Sequence, residues 1–174
     1  MVFLKRILFL LILSYLVINV VYNNDYVVIP SNSIRMRVIA SSNNLEDIKN
    51  KKIIKKSLEK ELVEVAKKSN SYKEADYKLK NSYDTVNSII EKSMKDNNIK
   101  EKYTINYGYN YFPEKKKGGV IYKAGNYKSY VVTLGKGEGS NFWCVLFPPL
   151  CLVDEKNTNN YSFLIKEILS DYTS

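Results

Sequence analysis

The chain begins with a continuous apolar run and then changes to mixed polar and apolar patterns. Residues 1–24 read MVFLKRILFLLILSYLVINVVYNN, with Lys5 and Arg6 ahead of the apolar stretch. This is the order of an export signal, and the stretch approaches the roughly 20 residues that span a bilayer. We predict a cleaved signal peptide or an uncleaved membrane anchor, with a buried hairpin of a cytosolic protein as the alternative. The basic residues predict that the chain after residue 24 lies outside the cytoplasm.

A strand is predicted from residue 34 to residue 40, where the sequence reads IRMRVIA. Side chains alternate between the two faces of a strand, so Arg35, Arg37 and Ile39 fall together on the face opposite Ile34, Met36 and Val38. Only three arginines occur in the chain. Because arginine offers a planar, bidentate fork that lysine lacks, the pair is predicted to anchor a partner or an internal carboxylate. On the residues alone we favour the alternative, an internal ion pair that holds the strand to a helix.

Two amphipathic helices are predicted after this strand. The first begins at a cap formed by Asn43 or Asn44. The second begins at a capping box formed by Ser71 and Glu74, and it is predicted to continue without a break to residue 98. Both helices carry apolar residues at spacings of three and four, which predicts one buried face on each.

The pattern changes to a period of two after residue 102, and glycine-containing turns separate the predicted strands. The GKGEG segment lies between two strands and opens no helix, so we predict a hairpin loop and not a phosphate-binding loop. A last helix is predicted from about residue 160 to residue 172. The sequence therefore predicts an α+β fold in which residues 25–174 form one domain, with a strand, two long amphipathic helices, an antiparallel sheet and a short C-terminal helix.

Composition narrows the possible chemistry. The chain has no histidine, which removes the usual general base and the commonest metal ligand. Two cysteines alone make a poor zinc site, so no metal and no cofactor are predicted. Paired carboxylates remain a route to catalysis, and Glu138 and Asp154 are the candidates for an exported cell-wall-active enzyme. Neither lies in a sequence context that predicts a shifted pKa, and we predict that the chain is not an enzyme.

The net charge is +9. Subtracting Lys5 and Arg6 leaves +7 on residues 25–174, because residues 1–24 contain no acid. A basic surface predicts contact with an anionic membrane or cell-wall polymer, and nucleic acid is not expected outside the cell.

The scarcest residue types are gathered in the segment NFWCVLFPPLC, from Asn141 to Cys151. It contains the only tryptophan, both cysteines and two of the four prolines. Cysteines of exported proteins are usually paired, so a disulfide between Cys144 and Cys151 is predicted to close a proline turn. Two buried free thiols are the alternative.

Two stretches of the chain resemble a known family. IPSNSIRMRVIASSNNLEDIKNKK is similar to one family pattern, and GGVIYKAGNYKSYVVTLGKGEGSNFWCVLFPPLCLVD is similar to a second. Both patterns are those of the stage II sporulation protein R family of endospore-forming bacteria. The chain departs from them at Ser41 and Ser42, where Asn-Ser is usual, at Ile48, where glutamine is usual, and in its short C-terminal end.

The resemblance implies an intercellular signalling protein of sporulation. Such proteins are made in the forespore and exported into the space between the two membranes. There they activate a membrane-embedded aspartic-type protease, stage II sporulation protein GA, which processes pro-sigma-E in the mother cell. Tryptophan and arginine often dominate binding energy, and a proline turn is rigid. We therefore predict partner contacts at Arg35, Arg37, Trp143, Phe147, Pro148 and Pro149, although Trp143 alternatively holds the domain together.

Overall fold

A computed structural model describes residues 2–22, 26–153 and 160–172 of the chain. Helix α1 spans Val2–Tyr22, and its side chains from Leu4 to Val17 are exposed. Within these described ranges, no helix combines the length and the apolar character needed to cross a membrane.

The centre of the fold is a four-stranded sheet. Its strands are β2 (Ile34–Ile39), β3 (Tyr103–Phe112), β6 (Gly125–Leu134) and β7 (Asn141–Phe147), in the order β3-β6-β2-β7. The predicted antiparallel pairing is present between β3 and β6 and between β2 and β7. Strands β2 and β6 pair in parallel, because the long crossover through the helices and β3 lets β6 return in the same direction.

Three helices cover one face of this sheet. They are α2 (Leu45–Lys67), α3 (Tyr72–Asn81) and α4 (Tyr83–Asp96). Asn44 caps α2 by accepting a hydrogen bond from the Asp47 amide at 2.7 Å, as predicted. Ser71 likewise caps α3 by accepting from the Glu74 amide at 3.2 Å.

The second predicted helix is divided at Ser82. In a continuous helix, the carbonyl of Leu79 would accept the amide of Tyr83. Here that carbonyl accepts the Tyr130 hydroxyl from the sheet at 2.6 Å and the Ser82 amide at 3.1 Å. The side chain of Tyr130, distant in sequence, therefore ends α3, and α4 begins directly after Ser82.

The first hydrophobic core lies between the helices and the sheet. Ile34, Met36 and Val38 of β2 are fully buried there, together with apolar residues of α2, α3 and α4. This confirms the predicted alternation of β2, and it leaves Arg35 and Arg37 on the opposite face of the sheet.

A second, smaller layer packs on that opposite face. It contains a three-stranded sheet of β1 (Val27–Val28), β5 (Val120–Tyr122) and β4 (Lys115–Lys117), in that order. A 3-10 helix (Leu150–Leu152) and α5 (Tyr161–Ser170) complete the layer. Apolar residues of these elements form a second core against Val145 of β7.

The GKGEG loop is not the predicted hairpin. It joins β6 to β7, which both pair with β2 and not with each other, so the loop crosses the end of β2. The Gly139 amide donates to the Ala40 carbonyl at 2.9 Å, and the Glu138 amide donates to the Ser41 carbonyl at 3.0 Å. A Cβ at Gly139 would lie 2.2 Å from the Ser42 carbonyl oxygen, so this close approach of two backbones requires glycine.

Candidate functional site

A disulfide joins the edge strand β7 to the 3-10 helix. Cys144 and Cys151 are bonded, as predicted, with their Cα atoms 5.1 Å apart. A carboxylate oxygen of Glu59 and the two sulfur atoms lie within 4.8 Å of one another. This group lacks free thiolates, which are the form in which cysteine binds a metal, so we assign no metal to it.

The turn enclosed by the disulfide points into the protein. Phe147, Pro148 and Pro149 are all buried, and the peptide bond between Phe147 and Pro148 is cis. The ring of Phe147 packs edge-on against Tyr172 with the centroids 5.2 Å apart. Partner contact through these three residues stays a prediction, and it would require the turn to leave this packing.

A cleft of about 410 Å³ lies beside the disulfide, along the edge strand β7. Its walls include the disulfide itself and the aliphatic side chains of Val145, Leu150 and Val153. The cationic side chains that line it are Arg35, Lys55, Lys115 and Lys117, and the aromatic ones are Phe112, Tyr122, Phe142, Trp143 and Tyr161. Strand β2, strand β7 and the smaller layer thus meet at one concave surface.

Arg35 is the most deeply buried charge in this cleft, with 2% of its surface exposed. Its guanidinium carbon lies 3.4 Å from the centroid of the Tyr127 ring, and its Nη2 donates to the Lys123 carbonyl at 3.4 Å. Burial lowers the pKa of Arg35, because removal from water disfavours the charged form. In the described ranges, no carboxylate forms an ion pair with Arg35.

Arg37 and Trp143 are neighbours across the β2–β7 pair. Phe112, at the end of β3, contacts both: the Arg37 guanidinium carbon is 5.0 Å from its ring centroid, and the Trp143 ring is 5.7 Å away in an edge-to-face arrangement. Burial also lowers the pKa of Arg37. The Nε atoms of Arg35 and Arg37 and the Nε1 atom of Trp143 are buried and have no hydrogen-bond partner in the described part of the chain.

The ion pair considered for the two arginines is therefore not found among the described residues. The structure brings Arg35, Arg37 and Trp143 together, although they lie in two separate sequence motifs. Sequence analysis missed Phe112 and Tyr127. The signal for Phe112 was present, because it falls out of phase with the alternating tyrosines of β3 and must share the face of the arginines.

Of the two candidate catalytic carboxylates, Glu138 does not line the cleft. Glu138 is exposed in the GKGEG loop beside Ala40, at the end of β2 opposite Arg35. Asp154 lies outside the described residues. The carboxylate that does line the cleft, Glu59, is paired with Lys55 at 2.8 Å.

The fold and the cleft define an α+β protein whose most distinctive surface is a cationic, aromatic recess closed by a disulfide. A family model described as stage II sporulation protein R matches residues 30–157. The chain is also 34% identical over 134 residues to stage II sporulation protein R of Bacillus subtilis (strain 168), a match that covers 77% of this chain. The chain therefore belongs to the stage II sporulation protein R family, a family of sporulation proteins.

The match covers 60% of the length of the Bacillus subtilis protein. No solved structure matches the chain. The residues matched by the family model contain the whole lining of the cleft except Tyr161.

Proposed function

We propose that this chain is an exported signalling protein of sporulation that activates a membrane-embedded aspartic-type protease, stage II sporulation protein GA. The activated protease then processes pro-sigma-E in the mother cell. The observation that carries this proposal is the family match over residues 30–157, which contains the cationic, aromatic cleft. The cleft offers cationic and aromatic side chains that can bind a ligand. Its one described carboxylate, that of Glu59, is paired with Lys55.

Export from the forespore is the second part of the proposal. The basic-then-apolar order of residues 1–24 supports it, as does the disulfide, because disulfides persist mainly outside the reducing cytoplasm. The chain then acts in the space between the two membranes, either secreted or held by its N-terminal segment. The positive net charge supports an additional contact with an anionic membrane or wall surface.

Activation of a protease by a partner that catalyses nothing requires differential binding. The chain must bind the active state of the protease more tightly than the inactive state. Moving such an equilibrium from about 1:99 to about 99:1 takes roughly 5.5 kcal/mol of differential affinity. A few buried arginine and tryptophan contacts commonly supply energies of this size, and Arg35, Arg37 and Trp143 are the residues that we propose for them.

Reconstitution in a non-sporulating bacterium tests the proposal. The protease and pro-sigma-E are expressed with this chain exported, with this chain lacking residues 1–24, and without it. We expect loss of the pro-sequence, followed by gel, only when the chain is exported. Two outcomes would contradict the proposal: processing of pro-sigma-E without the chain, or no processing while the folded chain is outside the membrane.

A further inference from the structure

We propose that the cleft beside the disulfide binds a carboxylate of an apolar peptide segment, with Arg35 as the group that holds the carboxylate. The inference deepens the proposed function and rests on it only for the identity of the partner. The chemistry of the ligand follows from the cleft itself.

The Arg35 guanidinium is buried, and its hydrogen bonds are only partly satisfied within the described residues. A buried charge is costly unless hydrogen bonds and an opposite charge compensate it. Arg35 is 2% exposed, and its Nε has no hydrogen-bond partner within the described ranges. Its contact with the Lys123 carbonyl, at 3.4 Å, is long. The Nε–H is therefore a buried donor without an acceptor in the described residues, and the Arg35 side chain belongs to the lining of the cleft.

The second step is the kind of anion. A guanidinium fork matches a carboxylate in a bidentate arrangement, and it matches a phosphate equally well. The other residues that line the cleft favour a carboxylate over a phosphate. Val145, Leu150 and the disulfide are apolar, and they line the cleft together with the ring of Trp143. Such walls suit the hydrocarbon side chains beside a peptide carboxylate better than the hydrated surroundings of a phosphate.

The third step is the fit of a peptide. The volume of about 410 Å³ lies within the range of pockets that enclose small ligands, and it is enough for two or three residues. The ring of Trp143 lines the cleft and offers an apolar surface to a peptide side chain. Lys115 is exposed at the rim, with its Nζ 5.7 Å from the Trp143 ring, and its charge attracts an acidic segment.

A fluorescence titration tests binding directly. Trp143 is the only tryptophan of the chain, so its emission reports on the cleft. The full chain is titrated with acetyl-Leu-Asp-Phe-amide, with the neutral acetyl-Leu-Asn-Phe-amide, with acetyl-Leu-Phe carrying a free terminal carboxylate, and with inorganic phosphate. No protease is present, so failure here is distinct from failure of the proposed function.

We expect a saturable change with at least one carboxylate peptide and binding of the Asn peptide weaker by about tenfold or more, the loss of one charged hydrogen-bond pair. Stronger binding of the Asp peptide assigns the carboxylate to an acidic side chain, and stronger binding of acetyl-Leu-Phe assigns it to a chain terminus. Binding of the Asn peptide as tight as that of the better carboxylate peptide, or phosphate binding as tight as that peptide, would overturn the proposal.

Substitutions locate the site. Arg35→Met is expected to weaken binding of the better carboxylate peptide by about tenfold or more. Lys92→Met, an equal change of charge at an exposed position of α4, is expected to leave binding unchanged. Circular dichroism establishes that each variant is folded. If Arg35→Met does not fold, Lys115→Met at the rim replaces it, with a loss of about threefold expected. Unchanged affinity in the folded variant would overturn the proposal.

A further pair of substitutions tests whether a carboxylate of this chain, and not of a partner, binds Arg35. Asp154 and Glu155 lie outside the described residues and close in sequence to Val153, which lines the cleft. The double variant Asp154→Asn and Glu155→Gln is expected to bind the peptide as the unaltered chain does. Markedly tighter binding would show that the chain's own carboxylate competes for Arg35, and it would overturn the assignment to a partner.

Discussion

The two faces of the central sheet differ in how their buried polar groups are satisfied. On the face that packs against the helices, the Tyr130 hydroxyl donates to the Leu79 carbonyl at 2.6 Å, and the Tyr107 hydroxyl donates to Asp76 Oδ1 at 2.7 Å. On the other face, nitrogen atoms of Arg35, Arg37 and Trp143 are buried without a hydrogen-bond partner in the described chain. The two tyrosine hydroxyls are paired within the protein, whereas the three nitrogen atoms of the second face are not. Glu101, which accepts from Asn50 of α2 through Oε1, adds one buried oxygen beside the helices, Oε2, that is unpaired among the described residues.

We propose that this difference separates residues that hold the fold from residues that bind a partner. Unpaired buried donors usually destabilise a protein, so three of them on one surface call for a functional reason. Substitutions on the helical face should therefore change mainly the free energy of unfolding. Substitutions on the cleft face should change mainly binding and signalling.

The largest loss of stability is expected in the first core. Leu62 is fully buried in α2, and Leu62→Ala should lower the free energy of unfolding by about 2–5 kcal/mol, because it removes apolar contacts and leaves a cavity. Urea unfolding measures the change. Lys60→Ala, at an exposed position of the same helix, is the control and should change stability little. Equal effects of the two substitutions would contradict the assignment of the helical face.

The disulfide is expected to have the next largest effect. Replacing Cys144 and Cys151 by alanine opens a short loop, and the chain-entropy relation gives a loss of about 2.5 kcal/mol. The same measurement on the unaltered protein, with and without reductant, gives an independent value. An unaltered free energy of unfolding after reduction would show that the bond does not stabilise the native chain.

A smaller loss is expected for one hydrogen bond of the helical face. Tyr130→Phe keeps the buried ring and removes the hydroxyl that donates to Leu79, which should cost about 1–2 kcal/mol. Tyr111→Phe, on an exposed ring of β3, is the matched control and should have no measurable effect. If both variants unfold at the same urea concentration as the unaltered protein, the helical face does not depend on this bond.

The smallest change in stability is expected in the cleft. Replacing a buried charge by an apolar residue of similar size is often neutral or stabilising. Arg35→Met should therefore change the free energy of unfolding by less than about 1 kcal/mol, or raise it, while peptide binding is lost. A large loss of stability would show that the stacking of Arg35 on Tyr127 holds the fold, and that the two faces do not differ in this way.

The local features of this structure could be predicted from the sequence. The alternation of β2, the cap at Asn44 and the capping box at Ser71 depend on residues close together in the chain, and all three are confirmed. The disulfide could also be predicted, because its two cysteines are seven residues apart in a single motif.

The features that were missed depend on contacts between distant residues. The break at Ser82 requires the hydroxyl of Tyr130, 51 residues beyond the carbonyl that it contacts. The route of the GKGEG loop depends on the order of the strands, which alternation within a strand does not determine. The burial of Arg35 depends on Tyr127 and on the smaller layer, whereas arginine is usually exposed.

The most direct test combines the cleft with signalling. In the reconstituted bacterium, exported Arg35→Met is compared with exported Lys92→Met and with the unaltered chain, at equal amounts of folded protein outside the membrane. We expect normal loss of the pro-sequence from pro-sigma-E with Lys92→Met and little or none with Arg35→Met. Normal processing with folded, exported Arg35→Met would contradict the proposal that the cleft is the signalling surface.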